Sequence, residues 1–215
     1  MAADAKQQML ATARDLALSG ITPGTSGNLS LRDGAGMWLT PSGVDYLEMT
    51  EDQLVFMDMD GNWSGDWNPT SEWRFHRDIL AGRPDIAAVC HVHSPHATAL
   101  ACRREDIPAF HYVVALAGGV DIRCAEYAIF GSQQLSDNIL VALQDRRACL
   151  LANHGMVALG QDVRAAYKLA QEVESLAQQY MLARQAGEPV ILSDDEMQAV
   201  LTAFQTYGHQ PARDG

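Results

Sequence analysis

The sequence predicts an α/β fold, one domain with helices layered on a mixed sheet. Three observations carry this. Apolar runs of strand length, residues 86–93 and 148–152 foremost, alternate with longer stretches of helical period such as residues 162–186. No repeat, low-complexity segment or break in composition divides the 215 residues. Apolar residues make up 47%, enough for a well-buried core and against extensive disorder.

In chain order, Met9, Leu10, Ala13, Leu16 and Ala17 recur at helical spacing within residues 4–19, and Gly20 stops that helix. Thr22-Pro23-Gly24-Thr25-Ser26-Gly27-Asn28 is too rich in turn formers for regular structure. Leu29-Ser30-Leu31 and Met37-Trp38-Leu39 read as strands joined by Asp33-Gly34-Ala35-Gly36. Thr40-Pro41-Ser42-Gly43 is a polar loop, and residues 54–59 alternate as a strand ending in an Asp60-Gly61 turn. Pro69-Thr70-Ser71-Glu72 opens a helix, with a hydroxyl cap and an acid in the first turn, that runs to Gly82. Residues 86–93 form the central strand, and Pro95 opens the next helix at its first position. Residues 113–129 read as two short strands around Gly118-Gly119. Residues 132–143 are helical, and 148–152 and 156–159 are strands. A long helix over 162–186 is closed by Gly187, and a last helix over 194–207 is capped by Ser193.

The formal net charge is −12. The basic residues are scattered; only Arg103-Arg104 and Arg146-Arg147 adjoin, both in settings that read as surface turns. This balance disfavours nucleic acid and anionic membranes as partners. A small anionic substrate stays compatible with it, given a metal and backbone N–H groups. Met1 to Gln7 has no apolar signal core, and no run reaches membrane-spanning length. Cys90, Cys102, Cys124 and Cys149 form no CxxC pair and read as reduced, packed thiols of a cytoplasmic protein.

The chemistry gathers around His91-Val92-His93. At i and i+2 on a strand, the two imidazoles aim the same way where a buried strand ends, while Cys90 faces oppositely. His154, in Asn153-His154-Gly155 after another buried strand, is the proposed third ligand, and Gly155 permits close backbone approach. Three histidines with no cysteine describe an open site that keeps room for water or substrate. Imidazoles suit zinc best, with manganese or cobalt as alternatives. Ordinary core or surface histidines are the plain alternative, which suits a lone histidine better than this set. Glu72 is the candidate base; its plain alternative is an acid favouring the helix dipole. Gly27-Asn28, Ser42-Gly43 and Thr70-Ser71 offer hydroxyls, an amide and backbone N–H groups without lysine or arginine. Together they can cradle a phosphate through neutral donors. His76 reads as a packing or supporting residue, His96 as pointing elsewhere, His111 as lining the site or an interface, and His209 as a tail residue.

Five motifs in register carry a resemblance: Gly24-Thr25-Ser26-Gly27-Asn28-Leu29-Ser30, Leu39-Thr40-Pro41-Ser42-Gly43, Pro69-Thr70-Ser71-Glu72-Trp73-Arg74-Phe75-His76, His91-Val92-His93 and Asn153-His154-Gly155. The chain closely resembles the zinc-dependent class II aldolase/adducin family. Order and spacing agree over essentially the whole chain, down to Leu192-Ser193-Asp194 and Phe204-Gln205-Thr206-Tyr207-Gly208. The resemblance implies a three-layer α/β/α domain over residues 1–215 with a mixed, largely antiparallel sheet and a mobile tail over 207–215. It implies zinc on His91, His93 and His154, with Glu72 as acid/base and as a ligand until substrate displaces it. Gly27, Asn28, Ser42, Gly43, Thr70 and Ser71 would take the phosphate; the family often has serine where Thr70 stands, which keeps the hydroxyl. Tyr112, Phe130 and Tyr207 match aromatic positions near the site, some reaching in from a neighbouring subunit of a homotetramer, with Tyr112 assisting at the aldehyde oxygen. The implied reaction is reversible cleavage of a ketose 1-phosphate, L-fuculose 1-phosphate-like, to dihydroxyacetone phosphate and L-lactaldehyde. The alternatives are a 4-epimerase, dehydratase or decarboxylase on the same scaffold, or a non-enzymatic adducin-like module. Ala109-Phe110-His111-Tyr112-Val113 stands where the epimerases carry a Thr-Thr-His-Ala-Asp run, and the intact histidines argue against the module.

Overall fold

The computed structural model describes residues 2–22, 24 and 26–205. Seven strands form one sheet: β1 (Asn28–Asp33), β2 (Gly36–Leu39), β3 (Val55–Asp58), β4 (Ala88–Val92), β5 (Cys124–Ala125), β6 (Ala148–Leu151) and β7 (Gly155–Gly160). Their spatial order is β3-β2-β1-β4-β7-β6-β5. Only β5 and β6 run parallel; every other neighbouring pair is antiparallel. The sheet is therefore mixed and largely antiparallel, as expected.

Strand β4 lies between β1 and β7 and is buried along its whole length. Its alternate residues serve two cores, because successive side chains leave opposite faces. Ala88, Cys90 and Val92 join the core under α1 (Ala2–Ser19), α3 (Pro95–Arg103), α5 (Val163–Ala186) and α6 (Asp194–Phe204). Val89 joins the core under α2 (Trp73–Gly82) and α4 (Gln133–Ala142). Helices thus cover both faces, and the architecture is three-layered. His91 shares the α2 face, where the Phe75 ring meets it edge-on at 5.6 Å, and Cys90 lies on the other side.

The helix starts follow their local chemistry. Ser132, Asp162 and Ser193 each accept a backbone N–H from the first turn of α4, α5 and α6. Helix α3 begins differently. Pro95 at its first position has no N–H to satisfy. The Glu174 carboxylate, reaching from α5, accepts the N–H groups of His96 and Ala97 at 2.9 Å each. It also holds His96 Nδ1 at 2.7 Å, so His96 does point away from the site. An anion is well placed there, since a helix N-terminus carries partial positive charge.

Three expectations need correction. Residues 113–129 do not form two strands around Gly118-Gly119. Tyr112–Ala117 is a 3₁₀ helix, capped by the His111 ring, which accepts the Val113 N–H, and ended by Gly118 at φ 94°. Only Cys124–Ala125 is strand. Burying Val114, Ala115 and Ala117 against the helical core overrides the β-preference of Val113-Val114. Arg146 is no surface turn residue: it is buried, and its Nε donates to Asp121 Oδ1 at 2.8 Å. Glu72 is not in the first turn of α2; it stands just before it, at φ −100° and ψ 15°, with its side chain turned away from the helix end. Tyr207, His209 and the tail over 207–215 lie outside the described residues.

Candidate active site

The site forms where β4 and the β6–β7 turn end side by side. His91 is fully buried, and its Nδ1 lies 2.9 Å from the Met156 carbonyl oxygen. A carbonyl only accepts, so Nδ1 carries the hydrogen. That leaves Nε2 facing inward, 2.9 Å from His93 Nε2 and 3.1 Å from Glu72 Oε2. Fixing one ring nitrogen so that the other can ligate is the common arrangement behind metal-binding histidines.

His154 is delivered by Asn153, which holds φ 55°, a left-handed conformation that asparagine tolerates better than most residues. The Asn153 N–H donates to Ala101 O at 2.9 Å, and its Oδ1 accepts from Arg104 Nε at 2.9 Å, so the C-terminal end of α3 holds this turn. Gly155 then allows the close approach expected of it: a Cβ there would sit 2.5 Å from Val92 O and 2.8 Å from His93 Cδ2. Gly155→Ala is expected to cost about 1–3 kcal/mol through overpacking. It should also weaken metal retention by displacing His93; thermal melting and metal titration read the two effects.

The three imidazoles form a near-equilateral triangle, with ring centroids 4.8 Å apart in every pair and planes inclined at 68° to 76°. With Glu72, their ligand atoms all lie within 4.8 Å of one another. Burial pushes the Glu72 carboxyl up, but the charge of His91 and its hydrogen bond, with His154 and Asn28, outweigh this and hold it well below the ordinary carboxylate range. Burial, then the charge of His91, pushes His93 and His154 down to about 4, so both are neutral near pH 7 with lone pairs to give. Burial lowers His91 too, but the Glu72 charge reverses the sign and raises it. Positive charge is favoured beside the carboxylate. Glu72 Oε1 is buried, accepts no hydrogen bond, and lies 3.3 Å from His154 Nε2. A buried carboxylate oxygen left this way is costly unless a cation meets it. Three lone pairs and one anion fit a divalent cation.

This cluster closes one end of a cleft of about 360 Å³. Gly27, Asn28, Ser42, Gly43, Thr70 and Ser71 all line it, and so do Glu72, His93, His154 and Phe130. Backbone pairing brings the loops together: Thr70 N–H donates to Thr40 O at 3.0 Å and Ser42 N–H to Asn68 O at 3.1 Å. Tyr46 joins the third loop, donating to Gly27 O at 2.5 Å beside Thr40 Oγ1 at 3.1 Å. Gly131, at φ 70°, lets the Phe130 segment close on Ser71, whose carbonyl oxygen would lie 2.6 Å from a Cβ. No lysine or arginine lines the cleft among the described residues.

Tyr112 stays outside this cleft. It is half exposed, stacked on His111 at 4.9 Å and 6.3 Å from the Phe204 ring. Ser26, Pro41, Tyr127, Ala128 and Asn153 line the cleft without having been assigned roles from sequence. Tyr127 carried a signal, an aromatic three residues before Phe130; Ser26 and Asn153 stood inside quoted motifs. His76 lies behind the site, its Nε2 2.5 Å from Asn28 Oδ1.

Comparison with known proteins bears on this arrangement. Residues 7–181 match the family described as Class II Aldolase and Adducin N-terminal domain. A 5-methylthioribulose-1-phosphate/5-deoxyribulose-1-phosphate aldolase of Rhodospirillum rubrum is 52% identical over 200 residues, covering 93% of this chain and 90% of that protein. The L-fuculose phosphate aldolase of Escherichia coli K12 is 43% identical over 203 residues, 94% of each. A solved L-fuculose 1-phosphate aldolase superposes with a TM-score of 0.91 at 43% identity, covering 94% of this chain and 96% of that one. With the match spanning the sheet, the three histidines and Glu72, the chain belongs to the class II aldolase and adducin family.

Proposed function

We propose that this protein is a zinc-dependent aldolase that reversibly cleaves a ketose 1-phosphate to dihydroxyacetone phosphate and a small aldehyde. One observation carries the reading: Glu72 stands among three converging imidazoles at the end of a cleft whose other walls offer neutral hydrogen-bond donors. His91, His93 and His154 would hold the cation, zinc by ligand preference, with manganese or cobalt as alternatives. When bound, it supplies Lewis-acid stabilisation of negative charge on substrate oxygens.

The chain's own residues supply the rest. Breaking the C3–C4 bond turns the C4 hydroxyl into the aldehyde carbonyl, its proton leaving on the side where Tyr112 would assist, and the bonding pair stays on the three-carbon fragment as an enediolate. A proton delivered through Glu72 to its carbon completes dihydroxyacetone phosphate, and in synthesis Glu72 removes that proton. The phosphate rests on Gly27, Asn28, Ser42, Gly43, Thr70 and Ser71, which fixes the carbon facing Glu72. No lysine is placed for a Schiff base: Lys6 lies over the Trp38 ring, and Lys168 is on α5 away from the cleft. Tyr112, exposed here, and Tyr207 would act from a neighbouring copy in a homotetramer, Tyr112 at the aldehyde oxygen, with Phe130 facing them. No helix among the described residues is long and apolar enough to cross a membrane. A cytoplasmic location remains part of the proposal.

Two substrates compete. L-fuculose 1-phosphate yields L-lactaldehyde. The Rhodospirillum rubrum relative's name favours a 5-deoxyribulose or 5-methylthioribulose 1-phosphate, yielding acetaldehyde or its methylthio derivative. All share the phosphorylated head and a distal end without a hydroxyl. The test is zinc-loaded protein with dihydroxyacetone phosphate and these aldehydes, products identified with their stereochemistry. Condensation with any of them supports the aldolase, and kcat/KM ranks the substrates. An epimerase, dehydratase or decarboxylase, or an inert module, forms no condensation product.

A further inference from the structure

His76 is fully buried and titratable, and the reaction described above leaves it without a task. Its Nε2 lies 2.5 Å from Asn28 Oδ1, and its Nδ1 lies 2.7 Å from Ser30 Oγ. Asn28 Nδ2 in turn donates to Glu72 Oε2 at 3.1 Å. Four side chains therefore make one hydrogen-bonded line, and all four residues are buried. Its geometry comes from matched repeats. Asn28 and Ser30 are i and i+2 on β1, about 6.6 Å apart along a strand. Glu72 and His76 are four residues apart across the start of α2, about 6 Å along a helix axis. Strand and helix present their polar groups at nearly equal intervals, so each rung finds its partner.

Only one direction of donation satisfies every member. The Glu72 carboxylate accepts, so the Asn28 amide turns its nitrogen toward it and its oxygen toward His76. That oxygen needs a donor, which His76 Nε2–H supplies. His76 Nδ1 is then bare and accepts the Ser30 hydroxyl hydrogen. Burial agrees with a neutral ring, pushing His76 down to about 3.

We infer that Ser30 and His76 are positioning residues which lock the Asn28 amide so that it holds Glu72 Oε2, leaving Oε1 as the oxygen that exchanges protons with substrate. The inference deepens the aldolase reading and rests on it. His91 Nε2 is the other neighbour of Oε2, so the two carboxylate oxygens are inequivalent: one is committed twice, the other accepts no hydrogen bond. Without His76 the amide can flip and turn its oxygen on the carboxylate.

The first test needs no variant and no activity. Nitrogen-15 NMR of the wild-type imidazoles is expected to show His76 as the neutral Nε2–H tautomer. An Nδ1–H tautomer, or a doubly protonated ring at pH 7, overturns the assignment. The second uses His76→Leu, His76→Gln and Ser30→Ala with full metal content confirmed. Loss of a supporting hydrogen bond behind a metal site costs about 10- to 100-fold. His76→Leu is expected to lower kcat and the exchange of the dihydroxyacetone phosphate proton together by that factor, with KM little changed. Ser30→Ala should lose less, and His76→Gln, which keeps an N–H toward Asn28, should recover most of the loss. Folded, metal-replete His76→Leu with wild-type kcat, or His76→Gln as impaired as His76→Leu, overturns the positioning role. Wild-type enzyme inert toward every ketose 1-phosphate overturns the aldolase reading instead, and with it the proton-exchange role given to Oε1.

Discussion

His93→Ala is expected to fold, to lose its metal on purification, and to show no measurable aldol cleavage. The fold should survive because His93 follows the last residue of β4 and is only partly buried, so no strand pairing depends on it. Metal retention should not, because two imidazoles and a carboxylate remain where three imidazoles met at equal spacing. The fall in affinity should exceed about a hundredfold, the upper end of what losing a mere supporting residue costs. Metal analysis beside circular dichroism measures both halves. Purified, folded His93→Ala with full metal content means that the ligand set is wrong.

Glu72→Gln separates binding from chemistry. The three imidazoles stay, so the variant should still take up metal, less tightly for want of the negative charge. The amide fills the same volume and can still accept from Asn28 Nδ2. It cannot shuttle a proton, however, and removing a general acid/base costs about 10²- to 10⁴-fold. Solvent exchange of the dihydroxyacetone phosphate proton, followed by NMR without any aldehyde, isolates that step. Unchanged exchange in a metal-replete variant would remove Glu72 from the mechanism.

Much of the frame was legible because its signals are local. Ser193 caps α6 as expected, Ser132 and Asp162, read as the first residues of their helices, prove to be the caps of α4 and α5, Pro95 opens α3, and Gly187 closes α5. The His91 and His93 pair followed from strand alternation alone. What the sequence hid depends on distant partners. Glu72 in its own segment looks like a helix-dipole acid. Its actual neighbours are Asn28, 44 residues earlier, and His91 and His154 later in the chain. Arg146 read as surface because Asp121 lies 25 residues away. Asn28 is assigned to phosphate and lines the cleft; with its carbonyl committed to His76 and one amide hydrogen to Glu72, the second amide hydrogen is the side-chain donor it can offer there. The 3₁₀ helix at Tyr112–Ala117 contradicts β-branched propensity for the same reason, a core that rewards a different backbone.

Helix α3 is tied at both ends to side chains of the proposed metal site. Its first turn follows His93 by two residues, and its last carbonyls grip the Asn153 turn that delivers His154. A slip of this one segment therefore unseats two imidazoles together and leaves His91 behind in the sheet. Capture and release of the ion should be all-or-none, with no long-lived state holding a single detached ring. Amide hydrogen exchange would register this as protection across residues 95–103 that collapses on chelation while β4 stays closed.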